Sequence, residues 1–163
     1  AHRAKAFGMN IIYHNRTPID SETEQELKAE YIKDHKELAR RSDVISLNCP
    51  LTPETHHLVD KKFLETLPGH ALLVNISRGA VIDEAALAEA LHNKTIAGAA
   101  LDVFEEEPKV HPNLLSAPNT VLLPHIASAT HRTREDIGML AAEAITSVLD
   151  GKADHKIPNL ISP

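Results

Sequence analysis

The chain is most strongly apolar at Ala71-Leu72-Leu73-Val74-Asn75-Ile76, a run that leads directly into the polar segment Ser77-Arg78-Gly79. Pro68-Gly69 stands shortly before the run and ends the helical segment that precedes it. Strands of parallel sheets are covered on both faces, so they read as continuous apolar runs of this kind. We therefore predict a buried strand of a parallel sheet over residues 71–76.

Strands and helices alternate on both sides of this run. Further strands are predicted at residues 10–14, 44–48, 96–101 and 120–123. Helices are predicted up to Phe7, over residues 21–31 and 35–41, from Asp60, from the capping residue Asp83 to Leu91, and in a long last segment that Gly151 ends. Residues 102–119 read as a proline-bearing loop. This rhythm predicts an α/β fold with a doubly wound, Rossmann-like parallel sheet.

Composition and charge restrict the class of protein. The chain has 163 residues, 42% of them hydrophobic, which fits one domain with a real core. A net charge of −6 without a strongly basic stretch argues against nucleic-acid binding. No apolar run approaches the length of a membrane span. The single cysteine, Cys49, indicates a reducing, cytoplasmic setting and is interpreted as a small packing residue.

Polar residues follow each predicted strand, at the edge where open parallel sheets bind ligands. These segments are Asn15-Arg16-Thr17, Cys49-Pro50-Leu51-Thr52-Pro53, Ser77-Arg78-Gly79, Asp102 and His125. Each also has an ordinary structural interpretation, since Arg78 alone is typical of a surface arginine and His125 is one of eleven histidines. Glu107 ends a run of three glutamates, normally a solvated loop, and His56-His57 is normally a solvated turn. No Cys/His spacing predicts a zinc site, so no metal is expected.

The joint pattern favours a functional interpretation of Arg78, Glu107 and His125, because all three fall in post-strand loops of one predicted sheet. A guanidinium binds a substrate carboxylate at two points. A histidine whose charged form is held by a carboxylate can donate a proton to a carbonyl oxygen at neutral pH. Together these are the groups that reduction of a 2-oxo acid requires.

Three segments resemble the signature motifs of the D-isomer-specific 2-hydroxyacid dehydrogenases. They are VNISRGAVID at residues 74–83, GAALDVF at 98–104 followed by Glu107-Pro108, and LPHIASAT at 123–130. NCPLTPET at 48–55 is similar to the family's loop beside the nicotinamide ribose. The resemblance covers essentially the whole chain, and the segments 14–17 and 126–130 are most similar to the glyoxylate/hydroxypyruvate reductase subgroup.

The resemblance implies a role for each candidate residue. Arg78 binds the substrate carboxylate and carbonyl, His125 is the acid/base, and Glu107 holds His125 as imidazolium. The implied cofactor-binding residues are Cys49, Pro50, Thr55, Ser77, Arg78, Asp102 and His125. Asp102 would contact the nicotinamide carboxamide, although its position after a strand suits a loop cap equally well.

Cofactor preference depends on Asn15, Arg16 and Thr17, which follow the strand at residues 10–14. NAD enzymes usually place an acidic residue there, and it bonds the ribose 2′-hydroxyl. A neutral residue beside an arginine accepts a 2′-phosphate better, so NADP(H) is the predicted preference and NAD(H) a possible cofactor. The alternative is that Arg16 is merely solvated and both cofactors bind.

The first residues, up to Phe7, read as the last turns of a helix, so we expect a fragment of a longer enzyme. Residues 1–150 are expected to form a dinucleotide-binding domain without its first strand and glycine-rich turn, and 151–163 to return toward the substrate domain. The fragment alone is expected to be inactive, and the full-length protein to be a homodimer. Other open functions are a phosphoglycerate or other D-2-hydroxyacid dehydrogenase, or a dinucleotide-sensing corepressor of the same fold.

Overall fold

A computed structural model describes residues 1–152, which fall into two compact units, Ala1–Pro124 and a second that begins at His125. The strands in the described residues are β1 (Ile12–Tyr13), β2 (Glu30–Tyr31), β3 (Val44–Leu47), β4 (Leu72–Asn75), β5 (Gly98–Leu101) and β6 (Thr120–Leu122). The α-helices there are α1 (His2–Ala6), α2 (Ser21–Leu27), α3 (His35–Arg40), α4 (Lys61–Leu64), α5 (Glu84–His92), α6 (Pro112–Leu115) and α7 (His131–Leu149). A short 3-10 helix covers Gly79–Val81.

Parallel pairing defines the sheets. β3, β4, β5 and β6 form one parallel sheet in that spatial order, and β1 and β2 form a two-stranded parallel sheet. Leu47, Asn75, Leu101 and Leu122 lie in register across the larger sheet. Its carboxyl ends therefore meet along one edge, which confirms the predicted α/β, Rossmann-like arrangement.

Aspartates begin three of the helices where the sequence predicts them. The backbone N–H of Lys36 donates to Asp34, that of Phe63 to Asp60 and that of Ala86 to Asp83, at 2.8–2.9 Å. The first N–H groups of a helix have no partner within it, so a carboxylate at this position stabilises the helix start. The starts of α3, α4 and α5 are thus fixed by local sequence.

The core lies on one face of the four-stranded sheet. Leu73 of β4 is fully buried and belongs to one cluster with Leu64, Leu87 and Leu91 from α4 and α5. The neighbouring Leu72 is 45% exposed. The prediction that β4 is buried on both faces is therefore wrong for the described residues, because their core cluster gathers on one side of the strand.

Two short elements were not predicted. The helix predicted over 21–31 ends at Leu27, where Lys28 takes a left-handed conformation with φ 52°. The chain then forms β2, and the Glu30 N–H donates to the Ile11 carbonyl at 3.0 Å. The loop predicted over 102–119 contains α6, a single turn that buries Leu114. Both elements depend on contacts distant in sequence.

α7 is the main described element of the second unit. Thr130 caps it, accepting from the Thr133 N–H at 3.1 Å, and Gly151 follows it with φ 68°. Three of its large apolar residues are more than half exposed, namely Ile137, Ile145 and Val148. No helix within residues 1–152 is long and apolar enough to cross a bilayer. The predicted division at residue 150 stays a prediction, and residues 153–163 lie outside the described part.

Candidate functional site

Asn75 builds the turn that presents Arg78. Asn75 is the last residue of β4 and is fully buried, and its side-chain amide donates to the Arg78 carbonyl at 3.0 Å. Its Oδ1 accepts from the Ser77 N–H at 3.0 Å and from the Ser77 hydroxyl at 2.8 Å. Arg78 is exposed at the carboxyl edge of the sheet, and its guanidinium donates to the Ser77 carbonyl at 2.6 Å. A buried amide thus fixes the backbone on which the exposed guanidinium stands.

Asn75 was not among the predicted site residues. The signal for it was present, since a polar amide stands inside the most apolar run of the chain. A buried amide is costly unless its donors and acceptors are satisfied. Here the satisfying groups are those of the turn immediately after the strand, so the residue marks a structured loop.

Gly79 brings the arginine turn against the loop that carries Glu107. A Cβ at Gly79 would lie 1.9 Å from the carbonyl carbon of Phe104 and 2.5 Å from the Glu105 nitrogen. Only a residue without a side chain permits this backbone-to-backbone approach. The structure therefore packs the Arg78 turn directly on the segment just before Glu107.

Glu107 stands in a loop stabilised by its own carboxylate. The Phe104 N–H donates to Glu107 Oε1 at 3.1 Å, and Glu107 is an exposed residue. Asp102, at the start of this loop, is 3% exposed, and its N–H donates to the Asn75 carbonyl at 3.0 Å. The backbone of Asp102 thus extends the pairing of β4 with β5 one residue beyond the strand.

His57 and Glu105 correct two of the ordinary structural interpretations. The ring nitrogen Nε2 of His57 lies 2.9 Å from Glu105 Oε2, and both side chains are partly buried. Glu105 Oε1 also accepts from the Glu84 N–H at 2.8 Å. The glutamate run is therefore not simply a solvated loop, and His57 is not simply part of a solvated turn, because the pairing joins segments 48 residues apart.

The loop after β3 is closed by threonine hydroxyls. Thr55 donates through Oγ1 to the Pro50 carbonyl at 2.6 Å and accepts from the Thr52 N–H at 2.8 Å. Cys49 is partly buried against the core, and burial raises the pKa of its thiol. The contact of Cys49 with the core agrees with its interpretation as a packing residue, and a raised pKa disfavours the thiolate that a nucleophile needs.

Asn15, Arg16 and Thr17 follow β1 and are exposed. The Tyr31 hydroxyl donates to the Asn15 carbonyl at 3.0 Å, so β2 anchors the start of this segment. A hydrogen bond from Thr52, together with the charge of Arg16, holds the pKa of the Glu54 carboxyl below its usual value. The charge of Arg16 is the smallest of these contributions.

His125 is the first residue of the second unit and is characterised by its own exposure and backbone conformation. It is exposed and has a positive φ of 55°. A left-handed backbone is uncommon outside glycine and recurs at functional positions. Its predicted pairing with Glu107 stays a prediction. Among residues 1–152, no group of three or more His, Cys, Asp or Glu side chains is arranged to hold a metal ion.

Comparison with known proteins agrees with this arrangement. Residues 1–127 match the family described as "D-isomer specific 2-hydroxyacid dehydrogenase, NAD binding domain". A glyoxylate reductase from Thermococcus litoralis is 48% identical over 162 residues, which are 99% of this chain and 47% of that protein.

Two solved structures give the same result. A glyoxylate reductase from Paecilomyes thermophila superposes with a TM-score of 0.83 at 43% identity, over 90% of this chain and 44% of that one. An NADPH-dependent glyoxylate/hydroxypyruvate reductase from Sinorhizobium meliloti, in complex with NADP and malonate, has a TM-score of 0.83 at 41% identity with the same shares.

The fold and its carboxyl edge define a nicotinamide-dinucleotide-binding domain. The chain belongs to the D-isomer-specific 2-hydroxyacid dehydrogenase family. It spans about half the length of the curated relatives it matches.

Proposed function

We propose that the full-length protein reduces glyoxylate, hydroxypyruvate or a similar small 2-oxo acid to the 2-hydroxy acid. The observation that carries this proposal is the close packing of the Arg78 turn on the Glu107 loop through Gly79. It holds a substrate-binding cation and a carboxylate on adjoining segments at the ligand-binding edge of the sheet. The names of the relatives described above support the same activity. A cytoplasmic homodimer stays a prediction.

The residues divide the chemistry between them. Arg78 binds the substrate carboxylate and orients the carbonyl, because a planar guanidinium offers two parallel N–H donors. His125 delivers a proton to the carbonyl oxygen, and Glu107 stabilises the imidazolium that donates it. A nicotinamide dinucleotide, when bound, supplies the hydride. Ser77, Asp102, Cys49, Pro50 and Thr55 are proposed to line the face on which it lies.

The experiment is a substrate screen on the full-length protein that follows loss of NADPH and NADH absorbance. We expect turnover with glyoxylate and hydroxypyruvate. Arg78→Lys should raise KM for the oxo acid about tenfold or more and also lower kcat, because lysine keeps the charge but loses the two-point geometry. Unchanged kinetics in this variant would contradict the role of Arg78.

The screen also separates the other functions. Preference for D-3-phosphoglycerate would assign the protein to a different D-2-hydroxyacid dehydrogenase activity. Cofactor binding without turnover of any 2-oxo or 2-hydroxy acid would favour a dinucleotide-sensing corepressor.

We further propose that NADP(H) is preferred over NAD(H). Support comes from the exposed Asn15-Arg16-Thr17 segment, which offers a cation and polar groups after β1 without a carboxylate of its own. A 2′-phosphate is attracted by an arginine and repelled by the acidic residue usual in NAD enzymes. The Glu54 carboxylate lies within electrostatic reach of Arg16 and offsets this attraction only slightly.

Asn15→Asp combined with Arg16→Gln should move the preference in kcat/KM from NADPH toward NADH. The new carboxylate would bond the 2′-hydroxyl and repel a 2′-phosphate. Glu54→Gln is the matched control, since removing an exposed carboxylate with only a small effect on Arg16 should change the ratio little, and in the direction of NADPH. A wild-type protein that already prefers NADH would show that this segment was misinterpreted.

A further inference from the structure

We infer that Glu84 is a positioning residue for Glu107, an inference that rests on the proposed function of Glu107. Glu84 is the first residue of α5 and only 5% exposed. Glu84 is far from Glu107 in sequence. Its buried carboxylate nevertheless faces the base of the loop that carries Glu107.

The two oxygens of Glu84 hold the two ends of the loop. Oε1 accepts from the Glu105 N–H at 2.6 Å, and Oε2 accepts from the His111 N–H at 3.2 Å. Glu107 lies between these two residues. The Glu84 carboxylate therefore closes the base of the turn that carries Glu107, and it uses both of its oxygens to do so.

Glu105 returns the contact and makes it reciprocal. Its Oε1 accepts from the Glu84 N–H, one of the N–H groups in the first turn of α5 that have no partner within the helix. Its Oε2 lies 2.9 Å from Nε2 of His57. The helix start thus favours the negative charge of Glu105, while backbone donors compensate the buried charge of Glu84.

This reciprocal pair and the Gly79 contact restrain the loop through different partners. Gly79 packs against the backbone of Phe104 and Glu105, whereas Glu84 ties Glu105 to His111. The Arg78 turn has its own support in Asn75. Loosening Glu84 should therefore displace Glu107 and leave the substrate-binding arginine in place, so the effect should fall on kcat rather than on KM.

The test is a double-mutant cycle in the full-length protein. Glu84→Gln keeps the shape but offers one acceptor oxygen in place of two. We expect kcat for glyoxylate to fall on the order of tenfold with KM changed less than about twofold, since small misplacements of catalytic groups are costly. If Glu84 acts through Glu107, the Glu84→Gln, Glu107→Gln double variant should have the kcat of Glu107→Gln alone. Multiplicative losses would overturn the inference.

The matched control is Glu89→Gln on the same helix, where the carboxylate is exposed and pairs with Lys61 at 2.8 Å. An exposed ion pair contributes little, so kcat should stay at the wild-type value. If Glu84→Gln does not fold, Glu84→Asp serves instead, because it keeps the carboxylate but is one methylene shorter and should lose at least one of the two backbone donors, Glu105 and His111. The same cycle with Glu107→Gln applies to it.

Hydrogen exchange separates this inference from the proposed function. In Glu84→Gln, backbone amides of residues 105–111 should exchange faster, whereas those of β4 should not change. Unchanged exchange would overturn the anchoring whatever the activity. Inactivity of the wild-type protein with every 2-oxo acid would overturn the proposed function, and with it the positioning role, even if exchange confirmed the anchoring.

Discussion

His125→Asn in the full-length protein should lower kcat for glyoxylate reduction by about 10²–10⁴-fold, the usual contribution of general acid catalysis. Asparagine retains a polar side chain of similar reach but has no proton to give at neutral pH. The residue also occupies a left-handed backbone conformation, with φ 55°, which asparagine tolerates better than most residues. The substitution therefore removes the proposed proton donor while keeping the backbone conformation.

In this variant NADPH binding should be retained while catalysis is lost. The dissociation constant for NADPH, measured by nicotinamide fluorescence, should stay within a few-fold of wild type, whereas turnover followed by absorbance should almost disappear. His70→Asn is the matched control, because His70 is exposed, pairs with Asp43 at 2.7 Å and precedes β4 at the opposite edge of the sheet. Near-normal kcat in His125→Asn would remove His125 from the proton-transfer step.

Local signals in the sequence predict the framework of the site well. Asp34, Asp60 and Asp83 each stand next to the helix they cap, so the cap and its donor lie within three residues. The parallel pairing of the strands follows from the repeated alternation of strands and helices, since parallel strands need crossover connections, whereas the strand order and register come from the structure. The post-strand positions of Arg78 and Asp102 were therefore predictable without any knowledge of side-chain contacts.

Long-range contacts were the part that sequence did not reveal. The pairing of His57 with Glu105 joins two segments 48 residues apart, and each segment alone has the composition of a solvated loop. From sequence alone, Glu84 is one more acid in the first turn of a helix, where acidic residues are common anyway. Its burial and its two loop partners emerge only when the chain folds back on itself.

One-sided burial of β4 has the same origin. Hydrophobicity shows that Leu72 and Leu73 both belong in an apolar setting, but not which segment covers each of them. Within the described residues, Leu73 is fully buried and Leu72 is 45% exposed. An apolar pattern indicates that a strand is suited to burial, whereas its actual burial depends on which helices or strands cover each of its faces.

Gly79→Ala should destabilise the full-length protein by about 3 kcal/mol or more, at the upper end of the range for overpacked cores. The added methyl group would lie 1.9 Å from the carbonyl carbon and 2.0 Å from the carbonyl oxygen of Phe104. These are backbone atoms of a buried segment, so no side chain can rotate away to make room. Relief requires the Arg78 turn and the Glu107 loop to separate.

That separation gives the substitution a second consequence, because it moves the proposed substrate-binding residue Arg78 away from the proposed catalytic residue Glu107. We expect kcat/KM for glyoxylate to fall about 10²-fold even at temperatures where the variant is folded. Gly138→Ala is the matched control with the opposite sign. A Cβ at Gly138 meets nothing within 4 Å, and the residue lies inside α7, where alanine is favoured over glycine by about 1 kcal/mol. Thermal melts of the two variants should therefore shift in opposite directions, and a Gly79→Ala protein with wild-type stability and activity would show that the two loops are not held in contact.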